Sequence, residues 1–199
     1  MKRVLLVRHG ESAWNASRRL QGQADIALSA RGEEQARLLR PVITALEPDK
    51  VVCSDLERAR KTAELLGYAD ALPDEALREI DVGDWTGEAI PDLIAADAEA
   101  YGGWRAGTYT PPRGESWPSF QSRVTASLQC ALASGAERML VVCHGGVIRA
   151  LLDKMIGLPP HRILPVGPAS LTVLADKNGG MRLEAFNFTP SGLSLGAPD

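Results

Sequence analysis

The chain has 199 residues, 45% apolar and 5% aromatic, enough to bury one sizeable core and typical of a single globular domain over residues 1–199 rather than a disordered or fibrous protein. Its 22 Lys and Arg against 25 Asp and Glu give a formal charge of −3, which leaves no broad basic field for nucleic acid or an acidic membrane surface. Nothing approaches the roughly 18–20 apolar residues that cross a bilayer, and the apolar run after Met1-Lys2-Arg3 breaks at Arg8 after only Val4-Leu5-Leu6-Val7, too soon for a signal peptide.

That run reads as the first strand, closed by Arg8-His9-Gly10-Glu11. Leu28 to Glu33 opens a helix that Ser29 can cap, with Ala36, Leu39, Ile43 and Leu46 at steps of three and four; Pro41 is expected to kink or restart it. Val51-Val52-Cys53 is a short buried strand, after which Ser54 or Asp55 is expected to cap a helix presenting Ala59, Thr62, Ala63 and Leu66 on one face. Glu88 to Tyr101 reads as one alanine-rich helix with Pro91 in its first turn. Gly102 to Glu115 holds four glycines and two prolines and reads as a loop or lid, so that residues 88–115 form a lid-like insertion.

A helix from Pro118 to Ala133 precedes a strand, Met139-Leu140-Val141-Val142-Cys143, and an apolar helix from Val147 to Ile156 follows His144-Gly145-Gly146. Leu171–Ala175 and Met181–Phe188 read as a β-hairpin, either the edge of the sheet or the edge of a homodimer. The tail after Thr189 is expected to be loosely ordered. Cys53, Cys130 and Cys143 are odd in number and widely spaced, which fits a reducing cytoplasm; Cys53 and Cys143 each close a strand and read as small core residues. Strands and helices alternate, as in an α/β protein with a mostly parallel sheet.

In such sheets ligands bind beyond the carboxyl ends of the strands. His9 and His144 each follow an apolar strand and precede a glycine, so both imidazoles are expected to open onto one crevice, where Arg8 adds a fixed positive charge. Arg58 in the first turn of a helix after a strand adds a second guanidinium beside a helix N-terminus. An irregular segment, Leu77 to Gly87, carries Glu79 and Asp81. This points to chemistry on an anion such as a phosphate.

Taken in order, Arg8-His9-Gly10-Glu11-Ser12 with Asn15, then Ser54, Leu56, Arg58, Ala59, Thr62 and Ala63, then Leu77, Glu79, Gly83, Trp85 and Gly87 with Gly114-Glu115-Ser116, and finally His144-Gly145 resemble the histidine phosphatase superfamily, the phosphoglycerate mutase-like enzymes. The resemblance covers about Val4 to Leu152 and implies a three-layer α/β/α sandwich. It implies His9 as the nucleophile that becomes a phosphohistidine, with Arg8, Arg58, Asn15 and His144 supplying positive or polar donors to the phosphoryl oxygens. Glu79 matches the general acid and base, with Asp81 as competitor. Gln21, Gly22 and Gly145 are implied binding positions. Neither metal nor other cofactor is called for, and the partner expected is a small phosphorylated substrate.

Glu11 is expected to be structural, Trp14 and Trp85 to be packing residues, and His161 to be exposed or structural. Trp104, Tyr109 and Arg113 are candidate contacts to the leaving group. Within the family, the short and mostly acidic segment between Glu79 and Gly114 favours phosphatases over mutases. Phosphoglycerate mutase-type transfer and non-catalytic binding of a phosphorylated ligand are the rival readings.

Overall fold

A computed structural model describes residues 2–192. Six strands form one sheet in the order β3-β2-β4-β1-β5-β6: β1 (Arg3–Arg8), β2 (Lys50–Ser54), β3 (Leu72–Asp74), β4 (Arg138–Cys143), β5 (Leu171–Lys177) and β6 (Gly180–Phe188). The first four in that order are mutually parallel; β5 runs antiparallel to β1, and β6 antiparallel to β5. Strands β1 and β4 carry apolar residues on both sides because both sides are covered. On one face Leu5, Val7, Leu140 and Val142 pack against Leu39 and Ile43 of α2 (Ala30–Ala45) and Ala59 and Ala63 of α3 (Glu57–Leu65). On the other, Val4, Leu6, Met139 and Val141 meet Phe120, Val124 and Leu128 of α6 (Trp117–Leu132) and Val147, Ile148 and Leu151 of α7 (Gly145–Ile156). Each large apolar side chain buried this way contributes about 1.5–3 kcal/mol before chain entropy is counted. The three-layer α/β/α arrangement follows from this two-sided burial.

A short helix, α1 (Ala13–Ala16), follows β1, and α4 (Ile90–Ala96) and α5 (Ala98–Ala106) lie between β3 and α6. Four local expectations change. Helix α2 runs unbroken through Pro41, which lies on its exposed face, where the carbonyl left without a partner can turn to water. Helix α3 takes its cap from far away: the N-cap residue is Leu56, and the Asp25 carboxylate accepts the Glu57 N–H at 2.7 Å. Asp97 splits the expected 88–101 helix by ending α4 and capping α5 through the Ala100 N–H at 2.9 Å. Helix α5 then continues through Gly102 and Gly103 to Ala106, so of the loop expected over 102–115 only about 107–115 is loop.

The terminal hairpin turns on Asn178 and Gly179, both at positive φ, as a two-residue turn between twisted strands requires. Cys53 and Cys143 are buried in the core and Cys130 is exposed. Burial pushes the Cys53 thiol up to about 11 and that of Cys143 higher still. Among the described residues no helix is long and apolar enough to cross a membrane. Of the tail expected to be loose, 193–199 lies outside the described residues.

Candidate active site

Strands β2, β4 and β1 are neighbours, and their carboxyl ends bring Ser54, His144 and His9 together. The His9 N–H continues the β1–β4 ladder to the Cys143 carbonyl at 2.9 Å. The chain then turns tightly: Gly10 lies against Gly32 at the start of α2, where a methyl on either glycine would overlap backbone. The Gly10 N–H donates to Thr62 Oγ1 at 3.1 Å, and that hydroxyl donates to the Arg58 carbonyl at 2.7 Å. The sequence thereby ties the loop after β1 to the first turn of α3.

The cleft above these strand ends holds about 670 Å³ of atom-free space. Of the residues singled out from sequence, Arg8, His9, Asn15, Gln21, Gly22, Arg58, Glu79 and Gly145 line it. His9 Nδ1 meets the Gly10 carbonyl at 2.6 Å; as a carbonyl only accepts, Nδ1 carries the proton and Nε2 keeps the lone pair. Burial first, then the positive charges of Arg58 and Arg8, holds the ring well below the usual imidazole range. It is a neutral base at neutral pH.

His144 is fully buried, and its ring meets that of His9 with centroids 5.2 Å apart. Its Nε2 is 2.8 Å from Ser54 Oγ. It lies against His9 rather than in the cleft wall, and burial, followed by Arg58 and His9, keeps it neutral as well.

Arg58 is 1% exposed and donates to the carbonyls of Ala24 at 2.7 Å and Gly22 at 2.8 Å, with Gly22 in the left-handed region. Burial lowers its guanidinium to about 10, so it remains a cation at neutral pH. Arg8 is held by the Val166 carbonyl at 2.5 Å. Asn15 closes a capping box with Ser12, whose hydroxyl donates to Gln21 Oε1 at 2.7 Å. Two cations and an amide therefore reach the cleft on fixed supports.

Glu79 follows a single 3₁₀ turn, Glu75–Leu77. One carboxyl oxygen accepts the Ile80 N–H at 2.8 Å and the other the Gly146 N–H at 2.9 Å, at the start of α7. The competitor Asp81 does not line the cleft; its carboxylate accepts the Gly83 N–H at 2.9 Å. Glu11 accepts from the Ser29 hydroxyl at 2.8 Å and is structural, as expected.

The far part of the cleft is built by Trp104 and Arg105 of α5, Trp117 of α6, Arg149 of α7 and Pro165. Tyr109 stacks on Trp85 with centroids 5.6 Å apart, and Arg113 pairs with Asp84, so neither lines the cleft. His161 is exposed. Sequence reading gives no place at the site to Arg149 or Arg123, and it takes Ser54 only as a motif residue and helix cap, not as the partner of His144. Ser54 holds His144 and Arg149 lines the cleft. Arg123 donates to the carbonyls of Ala76 at 2.9 Å and Arg78 at 3.0 Å. Arg149 was traceable: it stands three and four residues after Gly146 and Gly145, on the same helix face.

The histidine phosphatase superfamily (branch 1) model matches residues 4–189. A probable phosphoglycerate mutase GpmB of Salmonella paratyphi C is 38% identical over 169 residues, 80% of this chain and 77% of that protein. Among solved structures, a mycobacterial glucosyl-3-phosphoglycerate phosphatase in complex with VO3 superposes with a TM-score of 0.87 at 32% identity, covering 94% of this chain and 99% of that one. The α-ribazole phosphatase of Shigella flexneri gives 0.80 at 31% identity, covering 94% and 96%.

Proposed function

The chain belongs to the histidine phosphatase superfamily, branch 1, and on that premise we propose that it hydrolyses a small phosphomonoester through a phosphohistidine on His9. The observation that carries this reading is the hydrogen bond from His9 Nδ1 to the Gly10 carbonyl, which leaves a neutral Nε2 lone pair in a cleft lined by Arg8 and Arg58. Nε2 attacks phosphorus; the P–N bond forms and the ester P–O bond breaks, while Glu79 passes a proton to the departing alkoxide. Water then attacks the phosphohistidine and gives its proton to Glu79. The P–N bond breaks, phosphate leaves, and His9 returns neutral.

Arg8, Arg58 and Asn15 stand on fixed supports, so they can meet the equatorial oxygens with little reorganisation. His144, beside His9, adds a polar ring whose other side is held by Ser54. The short acidic segment before Gly114 favours water over a second substrate as acceptor. The similarity to a protein named as a probable phosphoglycerate mutase favours the second reading, return of the phosphoryl group to substrate.

Phosphate release from p-nitrophenyl phosphate and a panel of metabolite esters tests the proposal. The parent is expected to release phosphate, His9→Ala to lose at least 1,000-fold, and acid-labile, base-stable label to appear on His9. A parent that releases nothing, or an unchanged His9→Ala, overturns it. Supplied with 3-phosphoglycerate and a bisphosphoglycerate primer, a mutase would form 2-phosphoglycerate faster than phosphate.

A further inference from the structure

We propose that Asn187, on the edge strand β6 and outside the motifs of the site, positions Arg8 for the phosphoryl group by fixing the plane of one peptide, Val166–Gly167; this rests on Arg8 meeting that group, as in the hydrolase reading above. Arg8 Nη1 donates to the Val166 carbonyl at 2.5 Å, and the next N–H, that of Gly167, donates to Asn187 Oδ1 at 2.6 Å. Carbonyl and N–H belong to one planar trans unit and point opposite ways. Asn187 therefore grips the far side of the plane that holds Arg8.

The loop gives that plane little other support. Ile163 to Gly167 has neither helix nor strand, and Pro165 and Pro168 contribute no N–H, so between them only Val166 and Gly167 can donate. Past Pro168 the chain is tied to the end of β1 directly, the Ala169 N–H donating to the His9 carbonyl and the Arg8 N–H to that of Ser170, both at 3.1 Å. Across from the loop, β6 carries a bulge: from Leu171 to Val173 strand β5 takes two steps, while from Ala185 to Phe188 its partner takes three. Asn187 sits in that bulge at φ 52°, in the left-handed region, and its N–H donates to Thr172 Oγ1 at 3.3 Å. Glycine would serve the backbone there without strain. Asparagine tolerates the same conformation and adds a side-chain oxygen, and that oxygen is the one that meets Gly167. The bonded series from Asn187 through the peptide to Arg8 ends in the cleft, so a bond lost at one end loosens the guanidinium at the other.

The test uses the full chain, with inorganic phosphate binding followed by calorimetry and p-nitrophenyl phosphate as substrate, in the parent, Asn187→Gly, Asn187→Asp and Arg8→Lys. Asn187→Gly keeps the left-handed backbone, so it is expected to fold by circular dichroism, and it loses only the oxygen. Its phosphate affinity and its kcat are each expected to fall about tenfold, the size of effect seen when a ligand's supporting hydrogen bond is removed. Asn187→Asp retains an acceptor and is expected to stay within about threefold of the parent, a rescue that bulge geometry alone would not produce. In an Arg8→Lys background Asn187→Gly is expected to add less than about twofold to either loss, since the guanidinium it positions is gone. Parental phosphate affinity in Asn187→Gly, or an undiminished further loss beside Arg8→Lys, overturns the inference alone. A parent that binds phosphate but releases none from the ester overturns the hydrolase reading, while the phosphate affinities still decide the role of Asn187. A parent that binds no phosphate overturns both.

Discussion

The rings of His9 and His144 meet edge to face, with centroids 5.2 Å apart and planes at 62°, and both are buried. Neither can take a proton without placing a new cation beside Arg58, Arg8 and the other ring, in a site with little water. The pair is therefore neutral in the folded protein while free imidazole in the unfolded chain titrates near 6.5.

This sets the direction of a pH effect on stability. The folded values are depressed, so between them and 6.5 the unfolded chain binds protons that the folded one refuses, and stability falls as pH falls. Above about pH 7 the contribution is flat. Below 6.5 the slope should approach two protons, about 2.7 kcal/mol per pH unit. The carboxylates of Asp55 and Glu184, held low by Arg78 and Arg3, matter only below their ordinary values of 3.8 and 4.5. Urea unfolding of the parent and of a His9→Gln, His144→Gln double variant between pH 7.5 and 5 measures the slope. A parent as flat as the double variant would contradict the neutral pair.

Gly146→Ala should separate activity from stability. A methyl there would overlap Glu79 Oε1, and since a carboxyl end can swing aside, the strain is relieved by moving the proposed acid rather than by unfolding. Alanine also suits the start of a helix. Stability is expected to change by less than about 1 kcal/mol, while kcat falls on the order of 100-fold, within the range of a lost general acid. In a Glu79→Gln background the same change should add almost nothing to the loss.

What could be read from sequence was local. Residues at strand ends, such as His9 and His144, are marked by an apolar run and a glycine, and the helix periods of α2 and α3 place their buried faces correctly. Features that depend on distant chain were hidden. Asp25 caps α3 from 32 residues away, and Ser54 meets His144 across 90. Strand β3 escaped because it has three residues, includes Pro73 and exposes Leu72, all marks of an edge strand rather than a buried one. Asp97 gave a usable signal, an N-cap residue inside an alanine-rich run, which helix propensity outweighed.

Ser54→Ala should cost both stability and turnover. Among the described residues His144 Nδ1 has no hydrogen-bond partner, and removing the Ser54 hydroxyl would strip the other ring nitrogen too, inside a fully buried site. Leaving such a group unsatisfied costs about 1–3 kcal/mol. The ring also loses the contact that sets its orientation beside His9, so kcat is expected to drop about tenfold or more, the size of effect seen when a ligand's supporting hydrogen bond is lost. Thermal unfolding and phosphate release check the two halves separately; an unchanged kcat would remove Ser54 from the functional network.

Arg123 holds the segment that carries Glu79. It donates to the carbonyls of Ala76, Arg78 and, at 3.4 Å, Glu79, and pairs with Glu115 at 2.6 Å, while its guanidinium lies 5.1 Å from the Phe120 ring centroid. The segment from Glu75 to Asp81 has only a single 3₁₀ turn of its own, so these bonds stand in for a secondary-structure ladder. Arg123→Met keeps the packing on Phe120 and leaves the Glu79 carbonyl its bond from Gln23 at 3.3 Å, but strands the carbonyls of Ala76 and Arg78 and the partly buried Glu115, which should cost about 2–4 kcal/mol. Glu115→Gln leaves the carbonyl contacts in place and should cost less than half as much. If Arg123 positions Glu79, Arg123→Met lowers kcat with little change in KM under conditions where the variant is folded by circular dichroism. A variant destabilised to that extent yet with parental kcat would show that the carbonyl contacts hold the fold and leave the placement of Glu79 to Ile80 and Gly146 alone.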